Sequence, residues 1–514
     1  MFENSSAVTK DLGSTRGRNA AGRPGLTLAA VAVVQFMVSL DLSVVNVGLP
    51  RIEAGLGFGE LGLTWVIHAY ALTFGGLLML GGKVADRYGH KRLLLIGLPL
   101  FGLASLAGGF AQEPGHLVAA RAVQGVGAAL LAPASMAVLI STFPSGRQRV
   151  RAFGVWSAMN ASGAAFGVLI GGLLTQYAGW RWVMFVNVPM VAVALAVAWR
   201  GIAADRSAAR RGRPDVAGAV LATGGAALLV FGVVRTDRHP WGSAVTLLTL
   251  AAAAALLAAF WYVERTTTRD PLIRLGLLAN RSVAAANAYT LLLGAAMTSA
   301  FYFASLYLQG VLGAGPARTG VEFLPLALGV VAGSALAVRL GYRFAPRTLL
   351  IGGGLLTAAG FCWFGFISAD GSFLADVLGP SIVAGLGIGI CLAPATSAAT
   401  AGVAPHETGS ASGLLSSSRQ IGASLGLAAL GTVAHDRTGD AVTPAALSDG
   451  YALGLTVGGA LLVAAVLIAT VVLPRTSTAS AARERPAPPP DAEPAGERFA
   501  PLGDAGPAGG GSGA

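Results

Sequence analysis

The sequence predicts an all-α membrane protein that crosses the bilayer many times, and two observations lead to this prediction. First, 54% of the 514 residues are apolar and only 11% are charged, whereas a soluble globular protein has about 25% charged residues. Second, apolar stretches of about 20 residues, the length that a helix needs to span the hydrocarbon core, follow one another along almost the whole chain. Stretches of this length indicate helices, which satisfy their own backbone polar groups inside a bilayer.

Fourteen such stretches can be counted, and short polar segments separate them. Their first residues lie near Gly25, Gly62, Arg92, Gly115, Val150, Trp182, Val216, Ala244, Val283, Gly320, Thr348, Phe373, Thr408 and Tyr451. Of the 35 basic residues only six lie in the odd-numbered loops, and most of the others lie in the even-numbered loops and the terminal segments. The positive-inside rule therefore places both termini in the cytoplasm, and the net charge of +11 requires no nucleic acid to explain it.

The domain organisation follows from composition and from an internal repeat. The terminal segments 1–24 and 475–514 are polar or rich in Pro and Gly, and we expect them to be disordered cytoplasmic tails. The segment 91–97 at the start of the third stretch resembles the segment 346–352 at the start of the eleventh, and such repeats are common in secondary transporters. The predicted domains are an N-terminal six-helix bundle at 25–203, two inserted helices with flanking loops at 204–282, and a C-terminal six-helix bundle at 283–474.

The chain shows no motif of a soluble enzyme. The segment 76–83 resembles a phosphate-binding loop, but it has one residue too many before its Gly-Lys pair, and Val84 stands where Ser or Thr is required. The two cysteines, Cys362 and Cys391, lie in apolar stretches, and the histidines and cysteines do not have the spacing of metal ligands. The sequence therefore predicts no enzyme, no cofactor and no metal site.

Asp41 is the only carboxylate deep within an apolar stretch. Placing it in a bilayer costs about 2.5–3.5 kcal/mol, so its presence requires a reason. At the rise of an α-helix, Asp41 in the first stretch and Arg121 in the fourth lie about 9–13 Å from the same outer surface, so the two side chains can meet. Two interpretations are open: Asp41 is a structural partner of a nearby arginine, or it is a functional carboxylate that takes a proton or a cationic ligand. In the second interpretation, Asp41 and Arg121 are the candidate proton-coupling residues.

Other polar and aromatic side chains within the stretches are candidates for substrate binding. Arg419, beside Gln420 in the thirteenth stretch, is a further charge deep within a stretch, and it either contacts substrate or joins helices. The remaining candidates are Asn46, Trp65, Tyr70, Gln124, Trp156, Tyr289 and Phe301. The aromatic ones suit a large apolar ligand, although aromatic residues in membrane helices also pack between helices or lie at the interface.

The segment 82–92, Gly-Lys-Val-Ala-Asp-Arg-Tyr-Gly-His-Lys-Arg, joins the second and third stretches on the predicted cytoplasmic side. It resembles the loop motif G-x-L-x-D-R-x-G-R-K of the major facilitator superfamily, with Val84 in place of Leu and His90 in place of Arg. The segment 40–50 is similar to the first-helix motif of the fourteen-helix drug:proton antiporters in this superfamily, and the segment 121–127 is similar to their fourth-helix motif. The chain is thus identified as a member of this antiporter family by resemblance.

The resemblance extends over residues 25–474 and implies the major facilitator fold, in which two six-helix bundles are accompanied here by two inserted helices. It implies that Arg121 takes part in proton coupling. It also implies a conformational gate in the cytoplasmic loop, where Asp86 and Arg87 are expected to hold the bundles in the outward-facing state. The gate residues are Gly82, Asp86, Arg87, Gly89, Lys91 and Arg92.

The fifth stretch departs from the family motif at one position. The antiporter motif is a series of glycines that ends in G-P-x-x-G-G, and Val168 stands here in place of the proline. The glycines at 163, 167, 171 and 172 are expected to allow close helix packing, since they follow the small-xxx-small pattern. Because the proline is replaced, the sequence does not decide whether this helix is kinked. The direction of transport, which the family motif implies, is therefore also left undecided.

The predicted function is proton-coupled export of drugs, antibiotics or other toxic organic compounds across the bacterial cytoplasmic membrane, by alternating access. Two alternatives remain within the same fold, a proton-coupled importer and an exporter of one specific metabolite. A membrane enzyme or sensor is a more distant alternative. The expected partners are the lipid bilayer, protons and a small organic substrate, and the protein is expected to be a monomer.

Overall fold

The computed structural model describes residues 23–143, 146–203, 215–237, 239–267, 271, 275–403, 407–439 and 443–474. In these residues the structure is all-α, with fourteen long helices and no strand, as the sequence predicts. The long helices are α1 (Pro24–Leu56), α2 (Trp65–Tyr88), α3 (His90–Gly109), α4 (Pro114–Thr142), α5 (Gly146–Tyr177), α6 (Arg181–Gly201), α7 (Val216–Val234), α8 (Ala244–Thr266), α9 (Arg281–Val311), α10 (Pro316–Leu340), α11 (Pro346–Phe364), α12 (Phe373–Thr400), α13 (Thr408–Thr438) and α14 (Pro444–Val472). Short helices at Glu60–Leu63 and Leu275–Ala279 precede α2 and α9.

Within the described part of the chain, thirteen of these helices are long and apolar enough to cross a membrane. The exception is α13, which contains the polar run 416–420, Ser-Ser-Ser-Arg-Gln. This helix is nevertheless 31 residues long and packs against α2, α9 and α14. Its length and position agree with the predicted thirteenth span, and its polar run explains its lower hydropathy.

The helix α14 begins earlier than its apolar stretch suggests. Its start was expected near Tyr451, but the helix begins at Pro444. The side chain of Thr443 caps the helix by accepting a hydrogen bond from the backbone N–H of Ala446 at 3.2 Å. Pro444 suits the first position of the helix, because a backbone N–H there would have no partner within the helix. The first two turns therefore lie outside the apolar stretch, which is why hydropathy places the start too late.

The helices fall into two groups that pack mainly within themselves. In the first, α1 packs along α5 and α6, and α4 packs along α2 and α3. In the second, α9 packs along α13 and α14, and α12 packs along α10 and α11. The two groups meet where α2 contacts α13 and α5 contacts α10, and α7, which pairs with α8, covers α2 and α13. The domain boundaries at 203 and 283 stay a prediction, and the predicted tails lie outside the described residues apart from Arg23 and Pro24.

The internal repeat corresponds to equivalent contacts in the two groups. At the start of α3, Lys91 Nζ donates a hydrogen bond to the backbone oxygen of Ile202 at 2.5 Å, just after α6 ends. At the start of α11, the Arg347 guanidinium donates to the backbone oxygens of Ala469 (3.3 Å) and Thr470 (2.6 Å) near the end of α14. In each group a cation thus satisfies carbonyl groups that a helix C-terminus leaves free.

Candidate functional site

The structure brings Asp41 and Arg121 together inside the first group of helices. Asp41 lies near the middle of α1, and Arg121 lies in the first third of α4. Arg121 Nη1 is 2.6 Å from Asp41 Oδ2, and the two side chains are 2% and 0% exposed. An isolated charge at such a place would be very costly, and the short charge-assisted hydrogen bond offsets part of that cost.

The second oxygen of Asp41 is held by side-chain amides. Oδ1 accepts hydrogen bonds from Asn187 Nδ2 at 2.7 Å and from Gln124 Nε2 at 3.2 Å. The hydroxyl of Ser105 accepts from the same two amides, at 3.0 and 2.8 Å, and donates to the backbone oxygen of Met184 at 2.9 Å. Asp41 therefore receives three donors from α4 and α6, as suits a carboxylate, which can only accept.

The guanidinium of Arg121 has three further contacts. Its Nε donates to the backbone oxygen of Val66 at 3.1 Å, and its Nη1 donates to Gln124 Oε1 at 3.0 Å. Its carbon atom Cζ lies 4.3 Å from the centre of the Tyr70 ring, a cation–π contact. Tyr70 and Gln124, which the sequence suggests as substrate-binding residues, thus contact the ion pair. Asp41, Ser105, Arg121, Gln124 and Asn187 together form the Asp41 network.

Sequence reasoning missed Ser105 and Asn187. Both residues are fully buried, and each is a polar side chain within an apolar helix. That feature is the signal that could have found them, because a buried amide needs a hydrogen-bond partner. Small polar residues are too frequent in these helices for the signal alone to select two of them.

Three of the motif glycines in α5 pack directly against the backbone of α1. A Cβ atom at Gly163, Gly167 or Gly171 would lie 2.5–2.7 Å from a backbone oxygen of α1, closer than real Cβ atoms approach. At Gly167 the obstructing oxygen belongs to Leu40, the residue before Asp41. The glycines therefore set the distance between the two helices at the depth of the Asp41 network.

The fourth motif glycine, Gly172, faces the second group of helices. A Cβ atom there would collide with the backbone oxygen of Pro316, the first residue of α10. Between the two sets of contacts, α5 continues as one helix through Val168, the residue that replaces the motif proline. Val168 is 1% exposed, so its side chain is part of the packed interior.

In the loop between α2 and α3, the backbone turn depends on Gly89. Its φ of +103° is in the region that favours glycine. Asp86 is about half exposed, and its Oδ1 lies 3.0 Å from Nε2 of His90, the residue that replaces the motif arginine. The Arg87 guanidinium lies 5.5 Å from the centre of the Tyr88 ring. The same segment contains the other proposed gate residues, Gly82, Lys91 and Arg92.

Three of the aromatic substrate candidates pack between helices. Tyr289 is fully buried within the second group, where its Oη donates to a backbone oxygen of α11 at 2.9 Å. Trp65 lies 6.0 Å from Phe231 of α7, measured between ring centres. Phe301 stacks on Phe323 at 5.5 Å. The structure therefore does not bring these three residues together with one another or with Asp41.

The remaining candidates are Asn46, Trp156 and Arg419. The backbone oxygen of Asn46 accepts a hydrogen bond from Ser305 Oγ of α9 at 2.9 Å, so Asn46 lies where the two groups of helices meet. Trp156 is partly buried in α5, and its Nε1 has no hydrogen-bond partner among the described residues. Arg419 is also partly buried, in α13.

The two groups of helices are in contact on the face of the molecule away from the start of α1. Gln309 Nε2 donates to the backbone oxygen of Val47 at 3.0 Å, which joins α9 to α1. Gln176 Oε1 accepts from the backbone N–H of Ala317 at 2.9 Å, which joins α5 to α10. Together with the contact at Gly172, these bonds close this face between the groups.

This architecture, with long apolar helices in two groups and a buried ion pair inside the first group, is that of a membrane transport protein. The chain belongs to the Major Facilitator Superfamily, whose family model matches residues 31–427. Members of this superfamily are transporters and not enzymes. The family resemblance and the fold class that the sequence predicts are thereby confirmed.

Two relatives match over most of their length. The chain is 41% identical to the puromycin resistance protein pur8 of Streptomyces alboniger over 465 residues, which cover 88% of this chain and 92% of the relative. It is 39% identical to the cephamycin export protein CmcT of Amycolatopsis lactamdurans, with 90% of this chain and 96% of the relative covered.

Solved structures agree on the fold. An inward-facing bacterial homologue of the human lysosomal transporter Spinster superposes with a TM-score of 0.64 at 16% identity, covering 87% of this chain and 96% of that one. The nucleoside transporter NupG gives a TM-score of 0.63 at 12% identity, covering 88% and 100%. At these identities the likeness establishes the architecture alone.

Proposed function

We propose that this protein is a proton-coupled exporter of toxic organic compounds, antibiotics among them, in the bacterial cytoplasmic membrane. The observation that carries the proposal is the Asp41 network, a carboxylate buried near the middle of a membrane helix beside Arg121. The relatives support the export of antibiotics, since their names describe resistance to puromycin and export of cephamycin. The distribution of basic residues among the loops supports the placement of both termini in the cytoplasm. We also propose that the protein is a monomer.

In this mechanism Asp41 carries the proton. Three donors are directed at Asp41, an arrangement that matches a carboxylate, which can only accept hydrogen bonds. Protonation removes the negative charge of Asp41 and adds a donor there, so the charge-assisted hydrogen bond from Arg121 weakens. A proton that arrives from outside would thus loosen the contact of α1 with α4 and α6, and we propose that this change is linked to movement of the two groups of helices.

Transport into everted membrane vesicles tests the proposed function. Puromycin and a cephamycin are the first compounds to try, and cells with and without the protein provide the vesicles. We expect uptake of at least one compound that requires an imposed proton gradient and stops when an uncoupler is added. Uptake driven by the proton gradient only in right-side-out vesicles would mean import, and equal uptake in both sets of everted vesicles would reject transport of these compounds.

A prediction about the loop tests the proposed gate. Asp86→Asn removes a charge next to Arg87 but leaves the substrate region untouched, so the turnover rate should fall by roughly fivefold, as for one exposed ion pair, while the affinity for substrate stays the same. The control is His90→Gln, which replaces the side chain next to Asp86 and leaves the negative charge of Asp86 in place. Substrate binding in detergent and transport rate in vesicles are measured together. A large loss of affinity at unchanged turnover would show that the loop is not a gate.

A further inference from the structure

Arg419 differs from every other charged residue near the middle of a long helix. It lies at about the middle of α13, is partly exposed, and makes no hydrogen bond or ion pair with any residue that the structure describes. Arg121, by comparison, has Asp41, Gln124, the backbone of Val66 and the ring of Tyr70 around it. A guanidinium inside a membrane protein is normally paired or faces a water-filled cavity, so the lone guanidinium of Arg419 needs an explanation.

Helix packing does not provide the explanation. The helix α13 packs on α9 through small residues, as at Gly422, where a Cβ atom would collide with the backbone of Leu291. It packs on α2 through other side chains, as where Ser424 Oγ lies 3.0 Å from His68 Nδ1. Arg419 contributes its backbone oxygen to the first of these contacts, next to Gly294. In the described part of the molecule, its side chain makes no hydrogen bond or ion pair with another helix.

The charges near the middle of the membrane do not balance. Asp41 and Arg121 neutralise each other. Two other carboxylates of the second group lie near helix ends and are occupied, Glu322 by Arg318 at 2.7 Å and Asp376 by the hydroxyl of Tyr307 at 3.0 Å. Among the described residues, Arg419 is therefore a positive charge near the middle of a membrane helix without a carboxylate partner, and it attracts an anion that reaches it.

We propose that Arg419 binds a negatively charged group of the transported molecule, and that the substrates of this protein are organic anions such as carboxylates. The inference rests on the proposed function, since it assigns a substrate class to the same exporter. Lipid phosphates are a poor match for this position, because head groups lie at the membrane surfaces and Arg419 lies near the middle of its helix. The names of the two relatives leave the charge open, because puromycin carries an amino group and a cephamycin carries a carboxylate.

The substrate charge changes how export is driven. Each elementary charge that crosses a membrane potential of 100 mV supports a concentration ratio of the substrate of about 50-fold. Exchange of one entering proton for one leaving monoanion moves two charges, so the membrane potential alone supports a gradient of roughly 2,500-fold. The same exchange with a monocation moves no net charge, and the potential then contributes nothing. An anion exporter of this kind therefore depends strongly on the potential.

The test measures binding of a cephamycin and of its neutral methyl ester to the purified full-length protein in detergent. Arg419→Gln should weaken binding of the carboxylate by about 10- to 100-fold, as expected for the loss of a hydrogen bond to a charged group. Arg419→Lys should restore part of it, because it restores the charge. The matched control is Arg437→Gln in the same helix, where the arginine is exposed and 3.8 Å from Asp449. Melting temperatures check the fold of each variant.

The outcomes separate this inference from the proposed function. Equal affinity of wild type and Arg419→Gln for the carboxylate would overturn the inference, and so would tighter binding of the ester than of the carboxylate by wild type. Export of puromycin alone would also overturn it and would leave the exporter proposal standing. Binding of the carboxylate that depends on Arg419, without any transport in vesicles, would support the anion contact and reject the exporter proposal.

Discussion

Asp41→Asn is expected to abolish uphill transport while downhill movement of substrate continues. One proton that enters with 100 mV and one pH unit behind it releases about 3.7 kcal/mol, enough for a gradient of roughly 500-fold of a neutral substrate. An asparagine cannot take up or release this proton, so the variant should reach equal concentrations on both sides of the membrane. Accumulation in proteoliposomes under an imposed proton gradient, compared with exchange without a gradient, measures the two effects.

The structure dictates the control for this variant. Asp41→Asn leaves Arg121 buried without its carboxylate, and breaking a buried pair in this way costs about 3–5 kcal/mol. The double variant Asp41→Asn/Arg121→Gln removes both charges, so it should regain much of the lost melting temperature but none of the uphill transport. If the single or the double variant accumulates substrate as wild type does, Asp41 does not carry the proton.

Gly167→Leu is expected to lower both the stability of the protein and its uphill transport. Its Cβ would lie 2.7 Å from the backbone oxygen of Leu40, and the backbone of α1 must move to make room. Overpacking of a well-packed core costs about 1–3 kcal/mol, and the added side chain meets backbone rather than a flexible group. Because Leu40 precedes Asp41, the displacement should also disrupt the Asp41 network, so uphill transport should fall together with the melting temperature.

The matched control for Gly167→Leu is Gly154→Leu in the same helix. A Cβ atom at Gly154 would meet nothing within 4 Å, so the same change in side chain and helix propensity occurs there without a collision. We expect Gly154→Leu to melt close to wild type and to keep its transport activity. Similar melting temperatures for the two variants would show that the close approach of α5 to α1 does not hold the helices in place.

The helices and their order could be predicted from the sequence because the membrane imposes a simple rule, about 20 apolar residues for each crossing. The rule fails where a helix extends past the hydrocarbon, as α14 does before Tyr451, or where polar residues are buried among other helices, as in α13. Helix depth also predicts that Asp41 and Arg121 can meet, because position along a helix follows directly from residue number.

Rotation about the helix axis could not be predicted in the same way. Tyr289 faces the interior of the second group, and Tyr70 lies against Arg121. Asn187 of α6 donates a hydrogen bond to Asp41, and Ser105 of α3 accepts one from Asn187. Their contribution depends on how these helices are rotated against α1 and α4, and hydropathy, which is similar on all sides of a buried helix, does not report it.

The number of protons exchanged for each substrate molecule tests the central claim most directly. Wild-type protein in proteoliposomes, with a pH-sensitive dye inside and a labelled compound that the vesicle assay shows to be exported, gives both fluxes in one experiment. Because Asp41 is the one carboxylate near the middle of a long helix in the described structure, we predict a ratio close to one. A ratio near two, or substrate movement without any proton flux, would contradict coupling through this single carboxylate.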